Sequence, residues 1–130
     1  MIRIAHRGII KGPSVLENVP DRVLETLKEG YDAEIDVWYG ENGWSLGHDH
    51  PMYDVSLDFL KTKGLWVHCK NSEAFMRLLK FPEINCFMHD DVSWKNGVHA
   101  VTSQKFLWVY PEVYTFDGAL YGRCGSQWEH

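Results

Sequence analysis

The segment of residues 34–50, EIDVWYGENGWSLGHDH, constrains the fold and chemistry of this chain more than any other stretch. Side chains alternate between the two faces of a β-strand, so Glu34 and Asp36 project from the same face. Ile35 and Val37 point the other way, into apolar packing. The pattern therefore predicts a strand with one apolar face and one face that carries two neighbouring carboxylates.

Two carboxylates held side by side repel each other unless one is protonated or a cation lies between them. A divalent metal ion that takes oxygen ligands is a natural partner for such a pair. The simpler interpretation places Glu34 and Asp36 on the solvated face of a half-exposed strand, which is a common arrangement. The motifs around the pair bear on the choice between these interpretations.

The size and charge of the chain limit what it can be. With 130 residues, 45% of them hydrophobic, it is predicted to form one globular domain over residues 1–130. Its formal net charge is −5 with neutral histidines, and its 13 basic residues form no block or stripe, so duplex nucleic acid is not an expected partner. A small phosphorylated ligand is compatible with this charge, because one Arg and one Lys in a cleft are enough to bind it.

Cysteine content and the N-terminal sequence bear on the cellular compartment. Cys69, Cys86 and Cys124 are an odd number of cysteines without CxxC spacing, which disfavours a disulfide framework and a zinc-thiolate site. The opening MIRIAHRG lacks the apolar core of a signal peptide, and no apolar run approaches the length of a membrane span. The expectation is a protein of the reducing cytoplasm with no membrane span.

Strand and helix patterns alternate through the first two-thirds of the chain, as in βαβ units with a parallel sheet. Asn18 is predicted to cap the first helix. Towards the C-terminus the helical pattern disappears, and short strands joined by loops are expected. The predicted strands cover residues 2–5, 31–37, 44–47, 65–70, 84–88, 98–101, 106–110 and 119–121, and the predicted helices cover residues 20–29, 56–62 and 72–79.

Polar residues follow several predicted strands, at the strand ends where α/β sheets and βα barrels place their sites. His6 and Arg7 follow the first strand, and His68 and Lys70 lie at the end of a nearly continuous apolar one. The expected fold class is α/β, as a truncated or minimised TIM-type βα barrel with few helices in its C-terminal third. A full barrel needs about 250 residues, so this one is truncated, stripped of helices or completed by a second subunit of a homodimer.

Residues 2 to about 50 resemble the glycerophosphodiester phosphodiesterases, a family of βα-barrel enzymes. The resemblance rests on four motifs, which are IAHRG at residues 4–8, EN at residues 17–18, YDAEIDV at residues 31–37 and GWSLGHD at residues 43–49. The order and spacing of these motifs match the family. A single HRG motif would be weak evidence, whereas four motifs at the right separations are strong evidence.

The resemblance implies a catalytic role for two histidines and a metal site beside them. His6 and His48 match the family's two catalytic histidines, which act as general base and general acid around the phosphodiester. Glu34 and Asp36 match two ligands of the family's divalent cation, usually calcium or magnesium. The implied substrate is a small phosphodiester of the glycerophosphodiester type, of the kind found in lipid metabolism.

Further positions match residues that line the family's cleft. Arg7 corresponds to a phosphate contact, and Glu17 and Asn18 correspond to a motif in the same cleft. Downstream, the family has Glu, one residue and then Lys on a strand. The present chain keeps the Lys as Lys70, a second phosphate contact, but carries His68 where the family has Glu.

The histidine at position 68 changes the metal that is expected. Imidazole in place of a carboxylate moves the preference from calcium or magnesium towards manganese, zinc or another transition ion, with His68 as a third ligand. His89, Asp90 or Asp91 are alternative sources of the missing ligand. Beyond residue 80, no position has been matched to the family.

Two functions of different classes follow. The first is a metal-dependent phosphodiesterase, in which two histidines transfer protons while a metal and basic residues neutralise the phosphate. The second is a non-catalytic module that binds a phosphorylated metabolite or a nucleotide signal. The histidine at position 68 and the short chain motivate this second function. Recovery of a cleaved product or of intact ligand would separate the two.

Overall fold

The computed structural model describes residues 3–10, 14–88, 100–104, 106–109 and 120–124. Within these residues, strands and helices alternate in the first part of the chain and strands alone follow. The strands are β1 (Arg3–Ala5), β2 (Asp32–Gly40), β3 (Gly43–Leu46), β4 (Tyr53–Asp54), β5 (Leu65–Cys69), β6 (Asn85–Phe87), β7 (Ala100–Val101), β8 (Phe106–Val109) and β9 (Leu120–Cys124). The helices are α1 (Pro20–Lys28), α2 (Leu57–Leu60) and α3 (Ser72–Leu78), and a 3-10 turn covers His6–Gly8.

One mixed sheet contains all of these strands. β1, β2, β5 and β6 pair in parallel in that order, and β9 and then β8 continue the parallel pairing on the other side of β1. β3 and β4 form an antiparallel extension of β2, and β7 pairs antiparallel with β8. Because β1, β2, β5 and β6 are parallel, the chain leaves each of them at the same edge of the sheet, the one formed by the C-terminal ends of the strands.

Alternation along β2 and β5 separates an apolar face from a polar one. Ile35, Val37 and Val67 are fully buried on the apolar face. α1 and α3 contact this part of the sheet and contribute Val23 and Leu78 to the same core cluster. Burying one aliphatic side chain of this size contributes about 1.5–3 kcal/mol. The helices therefore occupy one face, and the opposite face of the same strands is left for polar side chains.

The predicted α/β class and the βαβ pattern are confirmed. The described strands do not close into a barrel, which differs from the truncated TIM-type barrel that the sequence predicted. The reason is that no ladder among the described residues joins β6 and β7, which are two of the three terminal strands of the branched sheet, the third being β4. The segment after β7 contacts β6 through Ser103, whose backbone N–H donates to the Cys86 carbonyl at 2.7 Å. The Ser103 hydroxyl accepts from the Cys86 N–H and donates to the Ile84 carbonyl, both at 2.9 Å.

Several element boundaries also differ from the prediction. β2 continues to Gly40 because its hairpin pairing with β3 extends that far. α2 is shorter than predicted, since Lys61 already has the backbone of a helix end. None of the helices in the described ranges has the length and apolar character needed to cross a lipid bilayer.

Candidate active site

Three side chains on the polar face of β2 and β5 form a cluster that is suited to a metal ion. Glu34 and Asp36 are two residues apart on β2, and His68 on β5 is the register partner of Asp36. His68 Nδ1 lies 3.0 Å from Asp36 Oδ1 and 3.8 Å from Glu34 Oε2. Each residue offers one ligand atom, and these atoms lie within 4.8 Å of one another. With Glu34 only 2% and Asp36 only 1% exposed, the pair shares one face as predicted, and the interpretation as a solvated strand face is wrong.

Burial gives the two carboxylates opposite ionisation behaviour. For Glu34, removal from water and then the negative charge of Asp36 raise the pKa well above its ordinary value. For Asp36, burial alone would raise the pKa, but the hydrogen bond and charge of His68, together with a hydrogen bond from Asn18, hold it well below its ordinary value. A cation bound between the carboxylates would stabilise the charged form of both, which is the physical argument for a metal ion here.

Asn18 contacts Asp36 with both ends of its side-chain amide. Its Nδ2 donates to Asp36 Oδ2 at 3.0 Å, and its Oδ1 accepts from the Asp36 backbone N–H at 2.9 Å. Asn18 is buried and has φ 60°, a left-handed conformation that Asn adopts more readily than most residues. The predicted capping role is wrong, because Val19 is the N-cap of α1 and no side chain caps that helix end. The Asn18 amide instead orients a carboxylate of the cluster.

Arg7 lies in the turn after β1 and contacts several parts of the site. Its backbone N–H donates to Glu34 Oε1 at 2.9 Å. Its guanidinium donates from Nη1 to Glu17 Oε1 at 2.7 Å and from Nη2 to His48 Nε2 at 2.8 Å, and its Nε lies 3.9 Å from Asp36 Oδ2. Arg7 has φ 54°, a left-handed conformation that costs a residue other than glycine on the order of 1–3 kcal/mol. These contacts hold the strained turn and place a positive charge beside the cluster.

The contact with Arg7 defines the protonation of the His48 ring. A guanidinium can only donate, so His48 Nε2 accepts this hydrogen bond and the ring proton lies on Nδ1. Nδ1 lies 3.0 Å from Asp49 Oδ1, which accepts a hydrogen bond from it. The side chain of His48 is 39% exposed, so a ligand can reach the ring from solvent.

Gly47 permits the close approach of the loop that carries His48. A Cβ atom at this position would overlap the carbonyl oxygen of His50. Trp38 Nε1 donates to the Gly47 carbonyl at 2.7 Å, and the Gly47 N–H donates to the Asp36 carbonyl at 3.1 Å. The loop is therefore attached to β2 at two points, immediately before His48.

The remaining predicted residues also lie at this edge of the sheet. His6 is buried in the turn after β1, and its Nε2 lies 3.8 Å from Glu34 Oε1. Lys70 follows β5 and donates its backbone N–H to the Val37 carbonyl at 2.8 Å. Its positive charge acts on the Asp36 carboxylate. The structure thus gathers residues from the loops after β1, β3 and β5 around the polar face of β2.

One aromatic contact of the cluster was not predicted. Phe87 of β6 stacks on the His68 ring, with the ring centroids 5.1 Å apart and an angle of 4° between the planes. The two residues are register partners, so period-two alternation along β5 and β6 was the signal that could have revealed this contact. The alternative ligands His89, Asp90 and Asp91 lie outside the described residues.

The donor atoms of the cluster fit a divalent cation. Carboxylate oxygens suit magnesium, calcium and manganese, whereas imidazole nitrogen suits zinc and other transition ions. Two of the three side chains are already oriented by a neighbour, Asp36 by Asn18 and His68 by Phe87. Such outer contacts commonly orient metal ligands in proteins.

The chain matches no protein-family model, and no curated protein or solved structure is significantly similar to it. The resemblance to the glycerophosphodiester phosphodiesterases therefore rests on the four sequence motifs.

Proposed function

We propose that this protein is a divalent-metal-dependent phosphodiesterase that cleaves a small substrate of the glycerophosphodiester type. The observation that carries the proposal is the cluster of Glu34, Asp36 and His68 beside the contact of Arg7 with His48. A phosphodiester is anionic and resists attack, so its cleavage needs neutralisation of charge, an activated nucleophile and a protonated leaving group. The cluster, together with Arg7, His48 and His6, offers a group for each of these tasks.

The proposed fold is one part of a TIM-type βα barrel in truncated form. Support comes from the parallel pairing of β1, β2, β5 and β6 and from the helices that cover one face of these strands. The polar face would then be the inner face of the barrel. A second subunit could complete the cleft, and sedimentation velocity at several protein concentrations tests for such a homodimer.

Glu34, Asp36 and His68 are assigned as the metal ligands. A metal ion held by these residues would neutralise negative charge on the phosphate and help to orient it. Magnesium and calcium suit the two carboxylates, and His68 adds a preference for manganese or zinc. Arg7 and Lys70 are assigned as phosphate contacts, because both place a positive charge beside Asp36.

Arg7 and His48 act together in the proposed mechanism. Without substrate, Arg7 Nη2 donates to the Nε2 lone pair of His48. A substrate phosphate is a charged acceptor that matches the guanidinium fork, so it takes over this donor and leaves Nε2 free. His48 Nε2 then accepts the proton of the attacking hydroxyl, while Asp49 keeps the other ring proton on Nδ1. His48 is therefore assigned as the general base.

His6 is assigned as the general acid. Its Nε2 lies 3.8 Å from Glu34 Oε1, on the β1 side of the cluster and away from β5, which precedes Lys70. As the new P–O bond forms and the old one breaks, His6 donates a proton to the leaving alkoxide. Water as nucleophile gives a phosphomonoester, and an internal hydroxyl of a glycerol-like substrate gives a cyclic phosphate. Each such proton transfer contributes about 10²–10⁴-fold to the rate.

A binding module without turnover is the second candidate function. The observation in its favour is the contact of Arg7 with His48, because it occupies the nitrogen that a general base needs. In this case the same basic residues bind a phosphorylated metabolite or a nucleotide signal that is released intact.

Phosphorus NMR distinguishes the two functions. The protein is incubated with glycerophosphodiesters, lysophospholipids and cyclic nucleotides, each with magnesium, calcium, manganese or zinc. A phosphodiesterase gives a new phosphomonoester or cyclic phosphate signal, which is lost with EDTA and in His48→Ala. The matched control is His50→Ala, which removes an exposed histidine of the same loop and leaves turnover unchanged.

Two results would contradict parts of this proposal. Turnover retained in both His6→Ala and His48→Ala would contradict the assignment of the two histidines. Unchanged spectra with shifted or broadened ligand signals would favour the binding module.

A further inference from the structure

A cleft of about 510 Å³ lies at the edge of the sheet opposite the candidate active site, and we call it the N-terminal cleft. Its lining includes Asp32, Leu65 and Asn85, which are the first residues of β2, β5 and β6. These strands are parallel neighbours, so their N-terminal ends lie together at one edge of the sheet. None of the residues assigned to the active site lines this cleft. It is therefore a separate candidate site.

The buried part of the lining is largely apolar. Leu60, Leu65 and Ile84 are at most 5% exposed and belong to the core cluster. Trp66 is also buried, and its Nε1 donates to Asp32 Oδ2 at 2.8 Å, which fixes the indole ring. The volume of the cleft lies within the range of small-molecule sites, about 300–1,000 Å³. The apolar side chain of a small ligand can therefore be buried against this wall.

The charged residues of the described lining carry both signs. Lys61 and Lys63 lie in the segment before β5, Asp32 begins β2, and Glu83 precedes β6. Lys63 and Glu83 are exposed and the other two are half-buried, so the charges lie towards the opening. None of the four forms an ion pair with a residue of the described ranges. Opposite charges are therefore held apart around the N-terminal cleft.

This distribution of charge favours a ligand that also carries both signs. An anion would be attracted by the two lysines but repelled by Asp32 and Glu83, and a cation would meet the reverse. A ligand with one ammonium and one carboxylate group can pair with both sets of side chains. The N-terminal cleft therefore suits a zwitterion better than an ion of either sign.

Asn85 places a carboxamide inside the cleft. It is only 7% exposed, and its Oδ1 accepts from the Gln104 backbone N–H at 3.4 Å. Its Nδ2 donates to none of the described residues. An amide nitrogen has two protons to donate, so Nδ2 is available to a carboxylate oxygen of a ligand.

We propose that the N-terminal cleft binds a free α-amino acid with an apolar side chain. The ammonium group of the ligand pairs with Asp32 and Glu83, its carboxylate with Lys63 and Asn85, and its side chain packs on Trp66. This binding is independent of the proposed phosphodiesterase activity, because no active-site residue lines the cleft.

Calorimetric titration of the full, metal-free chain with L-leucine tests the proposal, and saturable binding is expected. L-leucinamide lacks the carboxylate and 4-methylpentanoate lacks the ammonium group, so each should bind at least about tenfold more weakly. Glycine lacks the apolar side chain and should lose a similar factor. No saturable binding of L-leucine, or binding of any of these three analogues as tight as that of L-leucine, would overturn the proposal.

Two pairs of variants test the charges of the cleft. Lys63→Gln and Glu83→Gln each neutralise one exposed charge of the lining, and each should weaken L-leucine binding about two- to fivefold. Lys80→Gln and Glu41→Gln are the matched controls, because they make the same changes at exposed positions that do not line the cleft. They should leave the affinity unchanged. Equal affinities in the wild type and all four variants would contradict the proposed pairing.

NMR of the indole N–H groups locates the bound ligand. The Trp66 signal should shift when L-leucine is added, because this indole lines the cleft. The Trp38 signal should stay in place, because that indole donates to the Gly47 carbonyl near the candidate active site. Trp66→Phe and Trp38→Phe assign the two signals. Saturable binding that shifts the Trp38 signal and leaves the Trp66 signal unchanged would place the ligand elsewhere and overturn the proposal.

Discussion

Asn18 and Asp36 form two hydrogen bonds with each other, one through the Asp36 carboxylate at 3.0 Å and one through its backbone N–H at 2.9 Å. Asn18 lies in the loop after β1, and Asp36 lies in the middle of β2. Because one amide contacts both the side chain and the main chain, it limits how the carboxylate can rotate. A loop residue thereby orients a proposed metal ligand.

Asn18→Ala is predicted to weaken both the fold and the metal site. It leaves the buried Asp36 N–H and one carboxylate oxygen without this partner, so the free energy of unfolding should fall by about 1–3 kcal/mol. Loss of an outer contact to a ligand should lower metal affinity about 10–100-fold. Urea denaturation and calorimetric metal titration measure the two effects.

Gln104→Ala is a suitable control for this prediction, because it removes an exposed side-chain amide that bonds the Pro82 carbonyl. It is expected to change the free energy of unfolding by less than about 0.5 kcal/mol. Equal changes in the free energy of unfolding for Asn18→Ala and Gln104→Ala would show that the hydrogen bonds to Asp36 stabilise the fold no more than those of an exposed amide.

Gly47→Ala is predicted to abolish turnover by displacing the loop that carries His48. The added Cβ would overlap the His50 carbonyl oxygen, so the loop must move away from β2. Gly40→Ala is the matched control, because a Cβ at that position meets no atom within 4 Å. Activity assays on both variants, with circular dichroism to check folding, measure the difference. Full activity of Gly47→Ala would mean that the position of this loop does not matter for catalysis.

The stability of the metal-free protein is predicted to fall as the pH rises above about 4.3, the ordinary value for Glu. Burial and the neighbouring Asp36 raise the pKa of Glu34, so the native state keeps this proton after the unfolded chain has lost it. Between the ordinary and the raised values the native state binds more protons, and each step up in pH favours unfolding.

Asp36 acts in a different pH range. Despite its burial, hydrogen bonding to His68 lowers the pKa of Asp36, so its stabilising contribution is present above about 3.9 and is lost only in acid. Urea unfolding in EDTA between pH 5 and pH 8, compared between the wild type and Glu34→Gln, isolates the Glu34 effect. Glu34→Gln should flatten the profile, and a wild-type stability that rises over this range would contradict the prediction.

The identity of residue 68 is predicted to set the metal preference. With an imidazole beside two carboxylates, manganese or zinc should raise the melting temperature more than calcium at equal concentration. His68→Glu replaces the nitrogen ligand with oxygen and should shift the preference towards calcium or magnesium. An ion at 100 times its Kd stabilises the native state by about 2.7 kcal/mol, which thermal unfolding detects readily.

His50→Glu is the control for this series, because it makes the same replacement at an exposed position. It should leave the ranking of ions unchanged. The same ranking of ions in wild type and His68→Glu would remove His68 from the set of ligands.

Alternation along β2 was sufficient to predict that Glu34 and Asp36 share a face. Side-chain direction in a strand follows from the local backbone, so this part of the site can be predicted from a few consecutive residues. The same reasoning placed His6 and Arg7 at the end of the first strand and His68 near the end of another. The burial of Glu34 and Asp36 could not be predicted in this way, because it depends on which residues cover the polar face.

The contact of Arg7 with His48 joins residues 41 positions apart and could not be predicted from either motif. Asparagine is a residue type that often caps helices, yet the side chain of Asn18 contacts Asp36 instead. The reason is that the loop after β1 brings Asn18 next to β2. Local sequence patterns also could not predict whether the sheet closes into a barrel, because closure depends on pairing between distant strands.

The sequence by itself determined the α/β class, the order of the strands and helices other than the two-residue β4, and the residue types at the strand ends, because local hydrophobic periodicity and turn residues specify them. Only the tertiary structure decided which of these side chains meet. Contacts such as those of Asn18 with Asp36 and of Phe87 with His68 depend on strand register and loop packing, which are properties of the whole sheet.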